Sequence, residues 1–218
     1  MIDNSHNAYE SPSASTEERI LDIAQRLIQE RGYNKFSYSD IATELAITKP
    51  AIHYHFPSKV DLGCAIVRRY RQRTQERLIG ISRDFRTLEE RLQQYVDLFL
   101  DLLRNEFLMC PGGMLAVELM GLPVELQDEV RGFFEDHEAW LEGVIAAGGV
   151  DVGAEPSLTT KLMAKAGADA RAIVAALEGA VMMARLYEDE GRFHEAAARV
   201  IRFPDQPPTV PVAGSRAG

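Results

Sequence analysis

Hydrophobic residues recur at intervals of three and four along most of this chain, which is the spacing of amphipathic α-helices. The first stripe runs through Ile20, Ala24 and Leu27 and stops at Gly32, a residue type common at helix C-termini. Two shorter stripes follow between residues 38 and 56, and no segment alternates polar and apolar residues as a half-buried strand does. The pattern therefore predicts an all-α fold.

Helix starts are marked by capping boxes, in which a serine and an acidic residue three positions later bond each other's backbone amides. The pairs are Ser15 with Glu18, Ser37 with Asp40, and Ser58 with Asp61. Thr48 predicts a further start, with Pro50 allowed because amides of a first turn have no helical acceptor. Four helices are thus expected in this part of the chain, the fourth continuing through Ile66 and Tyr70.

Glycine and proline divide the rest of the chain into further helices. The Cys110-Pro111-Gly112-Gly113 sequence predicts a break with a chain reversal. The predicted segments are helices at 88–102, at 114–120, from Pro123 to just before Gly148-Gly149, at 156–190 with a candidate break at Gly167, and after Gly191, with a loop at 150–155.

Both ends of the chain lack a hydrophobic pattern. Residues 1–14 are mostly polar and residues 204–218 are rich in proline and glycine, so both are expected to be disordered. Between them, the short helices form one predicted domain at 15–62, and the longer helices form a second at 63–203.

The formal charge of −9 hides an asymmetry along the chain. Residues 16–77 contain 11 Lys and Arg against 8 Asp and Glu, whereas residues 78–218 contain 13 against 23. A basic module on an acidic body is typical of a protein that places only its N-terminal part against a polyanion. The arginines from Arg68 to Arg77 have two interpretations, a solvated helix face or attraction to flanking DNA.

Several classes of protein are disfavoured by composition. No apolar run approaches the roughly 18 residues that cross a bilayer, so no membrane partner and a cytoplasmic location are expected. Glycine-rich phosphate loops, a nucleophile elbow and metal-ligand spacings are missing from the sequence. An enzyme is therefore not expected, nor a catalytic residue, a metal or a cofactor. Cys64 and Cys110 are expected to be reduced thiols.

Two short helices joined by a tight turn form the pattern of a helix-turn-helix that reads DNA. In this chain the first helix ends in RGY and is followed by DIA, TKPAIHYHF and PSK. This stretch resembles the N-terminal domain of the tetracycline-repressor (TetR) family of transcription regulators. The resemblance implies a three-helix DNA-binding domain joined by a long helix to a C-terminal helical ligand-binding and dimerisation domain.

The resemblance also implies roles for individual residues. Lys49 and Ala51, with Pro50 between them, would face base edges, because Lys suits guanine acceptors and a methyl group suits thymine. Expected contacts to the DNA backbone are Ser37, Tyr38, Thr48, His53, His55 and Lys59. For Thr48 the helix cap is the favoured role. Tyr54 and Phe56 are expected to be core aromatics, and the spacing of His53 and His55 disfavours a shared metal ion.

Two positions depart from the family pattern. His53 stands where relatives usually have tyrosine, which replaces an aromatic contact by a titratable group. Ala46 occupies a turn position where glycine is common, so either the left-handed backbone is kept at a steric cost or the turn differs. These departures are the support for an alternative, a helical interaction protein that has lost DNA binding.

The C-terminal part of the resemblance implies a homodimer and an unknown small-molecule effector. The Ala- and Gly-rich segment 164–184 predicts close helix packing, and its expected interface residues are Ile173, Val174, Leu177, Val181 and Ala184. The alternative is that this face packs within one subunit. Expected pocket residues are Phe99, Leu103, Phe107, Met114, Glu118, Met120, Phe134, His137 and Trp140.

Glu118 and Cys110 each have a second interpretation. A carboxylate inside the apolar MLAVELM must reach solvent, a ligand cation or a partner such as Arg104 or Arg131. Cys110 could serve a thiol-based, redox-responsive repressor, but that role requires a lowered thiol pKa, and Glu106 nearby is acidic. The predicted function is a dimeric repressor that a ligand releases from a palindromic operator.

Overall fold

The computed structural model describes residues 15–104, 108–149 and 156–202, and these ranges are helical with no strand. Its α-helices are α1 Thr16–Arg31, α2 Tyr38–Leu45, α3 Lys49–His55, α4 Lys59–Asp84, α5 Leu88–Arg104, α6 Pro111–Val117, α7 Val124–Gly149, α8 Pro156–Tyr187 and α9 Glu190–Arg202. Short 3-10 turns occur at Tyr33–Lys35 and Leu119–Gly121. The all-α prediction is confirmed. The predicted disordered ends and the loop at 150–155 lie outside the described residues.

All three predicted capping boxes are present, with both reciprocal hydrogen bonds, before α1, α2 and α4. Gly32 ends α1 with φ 87°, a conformation that costs a residue with a Cβ atom but not glycine. The side chain of Thr48 accepts a bond from the Ala51 amide at the start of α3. Local sequence therefore sets the starts of these helices.

The predicted break between the fifth and sixth helices is present, but Pro111 to Gly113 do not belong to it: residues 108–110 are not helical and α6 begins at Pro111. Cys110 is instead the N-cap of α6, its sulfur accepting a hydrogen bond from the Gly113 amide at 3.0 Å, and Pro111 occupies the first turn. Helix α8 also continues through Gly167. In both places tertiary packing offsets the low helix propensity of glycine.

Two hydrophobic cores lie along the molecule. The first joins α1–α3 and the start of α4 to α6 and the first half of α7, so it extends well past residue 62. The second joins the ends of α4 and α7 to α5, α8 and α9. Because Leu115, Leu126 and Phe133 belong to the first core, the three N-terminal helices pack on the C-terminal part of the chain.

Arg68, Arg73 and Arg77 of α4 are exposed, as the solvated-face interpretation expects. Among the described residues, ion pairs also join four of the five arginines, all except Arg73, to other helices. Arg69 pairs with Asp22 of α1 at 2.8 Å, and both side chains are mostly buried. Arg71 lies 2.8 Å from Asp136 of α7, and Arg77 lies 2.6 Å from Asp101 of α5. These ion pairs hold α4 against α1, α7 and α5. Within the described ranges, none of the helices is long and apolar enough to span a bilayer.

Candidate nucleic-acid interface and internal cavity

The turn between α2 and α3 keeps the geometry for which relatives use glycine. Ala46 has φ 54° and ψ 39°, and its amide bonds to the carbonyl oxygens of Ala42 and Thr43. This left-handed conformation costs an L-residue about 1–2 kcal/mol. Leu45 and Ile52 are buried on either side, so packing holds the turn in place. The position of α3 relative to α2 is therefore retained.

Helix α3 is anchored by one face and exposed on the other. Ile52 is fully buried and Phe56 is 4% exposed. Lys49, Pro50 and His53 are exposed on the opposite side, while Ala51 is half-buried. A short helix that presents cationic and polar groups in this way has the form of a recognition helix.

Tyr54 is not the core aromatic that the sequence predicted. Its side chain is 85% exposed, whereas Phe56 is buried as expected. The helical period explains the difference, since Tyr54 follows the anchoring Ile52 by two residues, roughly 200° around the helix. An exposed tyrosine has both a hydroxyl and an apolar ring to offer a binding partner. Tyr54 thus joins the exposed face of α3, and the sequence analysis missed it.

His53 has a defined orientation. Its ring lies against the ring of Tyr38, with 4.7 Å between centroids, and Nδ1 is 3.1 Å from the carbonyl oxygen of Pro57. A carbonyl only accepts, so Nδ1 donates and carries the proton of the neutral ring. Neutral His53 consequently presents Nε2 outward as an acceptor, and the imidazolium presents it as a donor.

Tyr38 and Lys59, both expected to contact the DNA backbone, have partners inside the protein. The Tyr38 hydroxyl donates to the Phe56 carbonyl oxygen at 2.9 Å. The Lys59 ammonium donates to the carbonyl oxygens of Tyr33 and Phe36, each at 2.6 Å, and burial lowers its pKa. Both side chains brace the domain, and Lys59 keeps one N–H donor beyond these two bonds.

His55 and Ser37 were also expected to contact the DNA backbone, and the structure places them in different environments. His55 faces α1, with Nδ1 3.8 Å from the Glu17 carboxylate, so it lies away from the exposed side of α3. Ser37 is exposed, and its hydroxyl donates to Asp40 within the capping box. An open groove separates the start of α2 from α3. Its walls are formed by Phe36, Ser37, Tyr38, Ser39, Lys49, His53 and Lys59.

A second concave site lies between α4, α5, α7 and α8. Its volume is about 340 Å³, part of it open to solvent. Its lining residues are Tyr70, Thr74, Arg77, Leu98, Phe99, Leu102, Cys110, Phe133, His137 and Glu178. Of the nine pocket residues predicted from the sequence, Phe99 and His137 line this cavity.

The remaining predicted pocket residues lie elsewhere. Met120 is 96% exposed, and Leu103 is buried in the second core. Met114 and Phe134 pack partly buried against the two cores, while Trp140 donates from Nε1 to the Ser82 hydroxyl at 2.8 Å. Phe107 lies outside the described residues.

Glu118 does not line this cavity and has a partner within the protein. Its carboxylate accepts from the backbone and side-chain amides of Asn34, at 3.2 and 3.1 Å. Neither Arg104 nor Arg131 is the partner, because these arginines pair with Glu190 and Asp128. Glu118 instead links α6 to the segment after α1.

Glu178, on α8, is the polar residue of the cavity that the sequence analysis missed. Burial raises the pKa of its carboxyl from 4.5 to about 7, opposed by a hydrogen bond from the Cys110 thiol 3.4 Å away. Burial likewise raises the pKa of Cys110 well above its ordinary value, which keeps the thiol protonated. A protonated, buried thiol is a poor redox sensor. An isolated Glu inside AIVAALEGAVMMA was the available signal.

The five residues predicted for a dimer interface are each 6% exposed or less within one subunit. They belong to the second core, so the prediction is corrected: this face of α8 packs internally. The outward face of α8 carries exposed apolar side chains instead. These are Met163, Met182, Met183, Leu186 and Tyr187.

An anchored short helix with an exposed polar face, set at a tight turn from its neighbour, defines a helix-turn-helix DNA-binding regulator of transcription. Residues 20–65 match the family model of bacterial regulatory proteins of the tetR family, and residues 89–199 match the C-terminal domain of LmrA/YxaF-like transcriptional regulators. This chain belongs to the TetR family.

Similar proteins span nearly the whole chain. A TetR transcriptional regulator from Legionella pneumophila is 37% identical, with a TM-score of 0.76 over 88% of this chain and 97% of its own. A TetR-family regulator from Agrobacterium tumefaciens is 30% identical, with a TM-score of 0.76 over 86% and 96%. An uncharacterized HTH-type transcriptional regulator of Lactococcus lactis is 26% identical over 80% of this chain and 86% of its length.

Proposed function

We propose that this regulator is a homodimeric repressor, that α3 of each subunit binds one half of a palindromic operator, and that a small molecule in the C-terminal cavity releases it. The observation that carries the proposal is the exposed surface formed by Lys49, His53 and Tyr54. Ile52 behind them is fully buried, so the surface is held rigidly. Such a protein acts in the cytoplasm, where bacterial DNA lies.

Each group of this surface suits a different part of DNA. Lys49 at the start of α3 suits guanine O6 and N7, and Tyr54 suits a thymine methyl or a sugar. Neutral His53 presents an acceptor, which suits the amino groups of adenine or cytosine in the major groove. The groove beside the start of α2 suits a phosphate, because the ammonium side chains of Lys49 and Lys59 line it.

Dimerisation is supported by the outward face of α8. Leu186 is 68% exposed and Tyr187 is 56% exposed, and exposed apolar patches mark interaction surfaces. Ala175 and Ala176 continue this exposed face, where small side chains permit close helix approach. A seven-residue recognition helix reaches few base pairs, so two copies on a symmetric site supply the affinity.

The contacts between the cavity and the N-terminal helices support release by a ligand. Cys110 lines the cavity, and the neighbouring Met109 carbonyl accepts from Gln29 of α1 at 2.9 Å. Glu118, at the other end of α6, binds Asn34. Hydrogen bonds therefore join both ends of α6 to the DNA-binding part of the chain. A movement of α6 would displace α1 through the Gln29–Met109 bond.

The test is selection of bound sequences from random DNA by the purified protein at two salt concentrations. A palindrome whose affinity falls steeply with salt is expected, because phosphate contacts release counterions. The Lys49→Ala variant should lose preference at one position of each half-site, because Lys49 is the proposed base contact. Lys165→Ala, which removes an equal charge on α8, is the matched control.

Two results would refute the proposal. If no sequence is enriched by the wild-type protein, the chain does not read an operator. If Lys49→Ala and Lys165→Ala give the same sequence preference, α3 is not the reading element.

A further inference from the structure

The cavity between α4, α5, α7 and α8 is lined by polar groups that lack hydrogen-bond or charge partners within the described residues. His137 is 6% exposed, and its Nδ1 is 2.7 Å from the Tyr95 hydroxyl. The other ring nitrogen, Nε2, is buried and has no hydrogen-bond partner among the described residues. Buried polar atoms are rarely left unpaired, because each costs about 1–3 kcal/mol. An unpaired nitrogen in a side chain that lines the cavity points to a bound molecule.

Glu178 faces the same cavity from α8. The donor to its carboxylate is the Cys110 thiol at 3.4 Å, and S–H is a weak donor. Gly113 lies against the other oxygen, since a Cβ atom there would be 2.7 Å from Oε2. The carboxylate is therefore held in position but poorly compensated when ionised.

No cationic side chain in the described part of the chain is placed to neutralise Glu178. Arg77 lines the cavity, but its guanidinium pairs with Asp101 at 2.6 Å. Arg185, two turns along α8, directs its guanidinium to the Gln29 carbonyl oxygen and the Met114 sulfur. The other titratable groups nearby are Tyr70, Tyr95, Cys110 and His137.

The remaining walls are apolar and largely aromatic. Phe99 and Phe133 line the cavity beside Tyr70, whose ring lies 5.6 Å from that of Phe133. Aromatic rings attract flat apolar molecules and also stabilise cations placed over their faces. A cavity with flat apolar walls and one carboxylate is complementary to an aromatic molecule that carries a positive charge.

We propose that the cavity binds a small aromatic amine whose ammonium group pairs with Glu178, while His137 Nε2 supplies a second polar contact. This proposal rests on the proposed ligand-responsive function and names the chemical class of its ligand. The ammonium group supplies the counter-charge that the cavity walls do not give Glu178. Bound amine keeps Glu178 ionised, so affinity rises with pH until the carboxyl of the free protein is fully ionised.

The single tryptophan of the chain gives a direct readout. Trp140 stacks on Tyr95, with ring centroids 5.5 Å apart, and Tyr95 contacts His137. Its fluorescence in the full-length protein is titrated with phenethylamine, phenethyl alcohol and phenylacetate. These probes share one ring and differ in charge, so the comparison isolates the role of the ammonium group.

Phenethylamine is expected to bind at least about tenfold more tightly than the alcohol, and phenylacetate not at all. Glu178→Gln should abolish the preference for the amine, whereas Glu135→Gln, the same change at an exposed site on α7, should retain it. In the wild-type protein, amine affinity should rise as pH passes through about 7, where Glu178 ionises, and level off above it, while alcohol affinity stays constant. That measurement needs no variant.

The proposal is overturned if the alcohol or the acid binds as tightly as the amine, if no probe binds, or if Glu178→Gln keeps the preference. Operator affinity is measured in parallel with phenethylamine present. Saturable amine binding that leaves operator affinity unchanged supports the cavity's ligand class and refutes ligand release. Failure of all probes with intact operator binding refutes the ligand class alone.

Discussion

The side-chain amide of Gln29 donates a 2.9 Å hydrogen bond to the carbonyl oxygen of Met109, which joins α1 to the residue before the α6 cap. Gln29 is 2% exposed and Met109 is 5% exposed, so water does not replace this bond when it is lost. The bond is a buried polar tie between the DNA-binding helices and the wall of the cavity.

Replacement of Gln29 by Met keeps the size of the side chain and removes the donor. We expect the free energy of unfolding to fall by about 1–3 kcal/mol, because a buried carbonyl loses its partner. Urea unfolding followed by circular dichroism measures the change. Gln72→Met, the same substitution at an exposed position of α4, should stay within about 0.5 kcal/mol of wild type. Equal effects of the two variants would contradict the assignment.

Removal of the Tyr54 side chain should weaken operator binding and leave the stability of the fold unchanged. Because Tyr54 is 85% exposed, Tyr54→Ala is expected to leave the unfolding free energy within about 0.5 kcal/mol of wild type. Operator affinity, measured by fluorescence anisotropy, should fall about tenfold or more through lost base and sugar contacts. Ile79→Ala, at a 65% exposed position of α4, tests whether loss of any exposed apolar side chain has this effect. Unchanged affinity of Tyr54→Ala would remove this residue from the interface.

A charge on the outward face of α8 should break the dimer. Leu186→Glu is expected to give a monomer with a native helical spectrum, because Leu186 is 68% exposed and contributes little to the subunit core. Sedimentation velocity measures the assembly, and operator affinity should fall with it. Ile79→Glu introduces the same charge at a 65% exposed position of α4 and should remain dimeric. A dimeric Leu186→Glu protein would place the interface elsewhere.

Glu178 and His137 should oppose each other in the pH dependence of stability. Burial raises the pKa of Glu178 from 4.5 to about 7, so the folded state holds more protons than the unfolded state and its stability falls as pH rises through that window. Burial lowers the pKa of His137 from 6.5 to about 4, so its contribution to stability is lost as pH falls from 6.5 to about 4. Between 4.5 and 6.5 the two slopes have opposite signs.

The Glu178→Gln variant should show the pH dependence of stability that His137 causes by itself. Its unfolding free energy is expected to rise with pH between 4.5 and 6.5, where the wild-type curve stays nearly flat, and above pH 7 the variant should be more stable by at most about 3 kcal/mol. Urea unfolding across this pH range measures both curves. Parallel curves for variant and wild type would show that Glu178 ionises normally.

Local sequence determined the helical class of this protein and the positions of its first helix starts. Ser15, Ser37, Thr48 and Ser58 cap the helices that follow them, since a capping bond joins residues two or three positions apart and needs no distant partner. The helix-turn-helix motif is equally local, and Ala46 adopts the left-handed turn that the motif demands.

Tertiary structure decided which face of each element meets solvent and which polar groups meet each other. Tyr54 and Phe56 share one aromatic motif, yet one is exposed and the other buried, because α1 and α2 cover only one side of α3. Cys110 and Glu178 are 68 residues apart in the chain and form one cavity wall. Hydrophobic periodicity identifies which residues of a helix are buried but not which helix covers them. The sequence therefore predicted a dimer interface at residues such as Leu177, which in the structure packs against helices of the same chain.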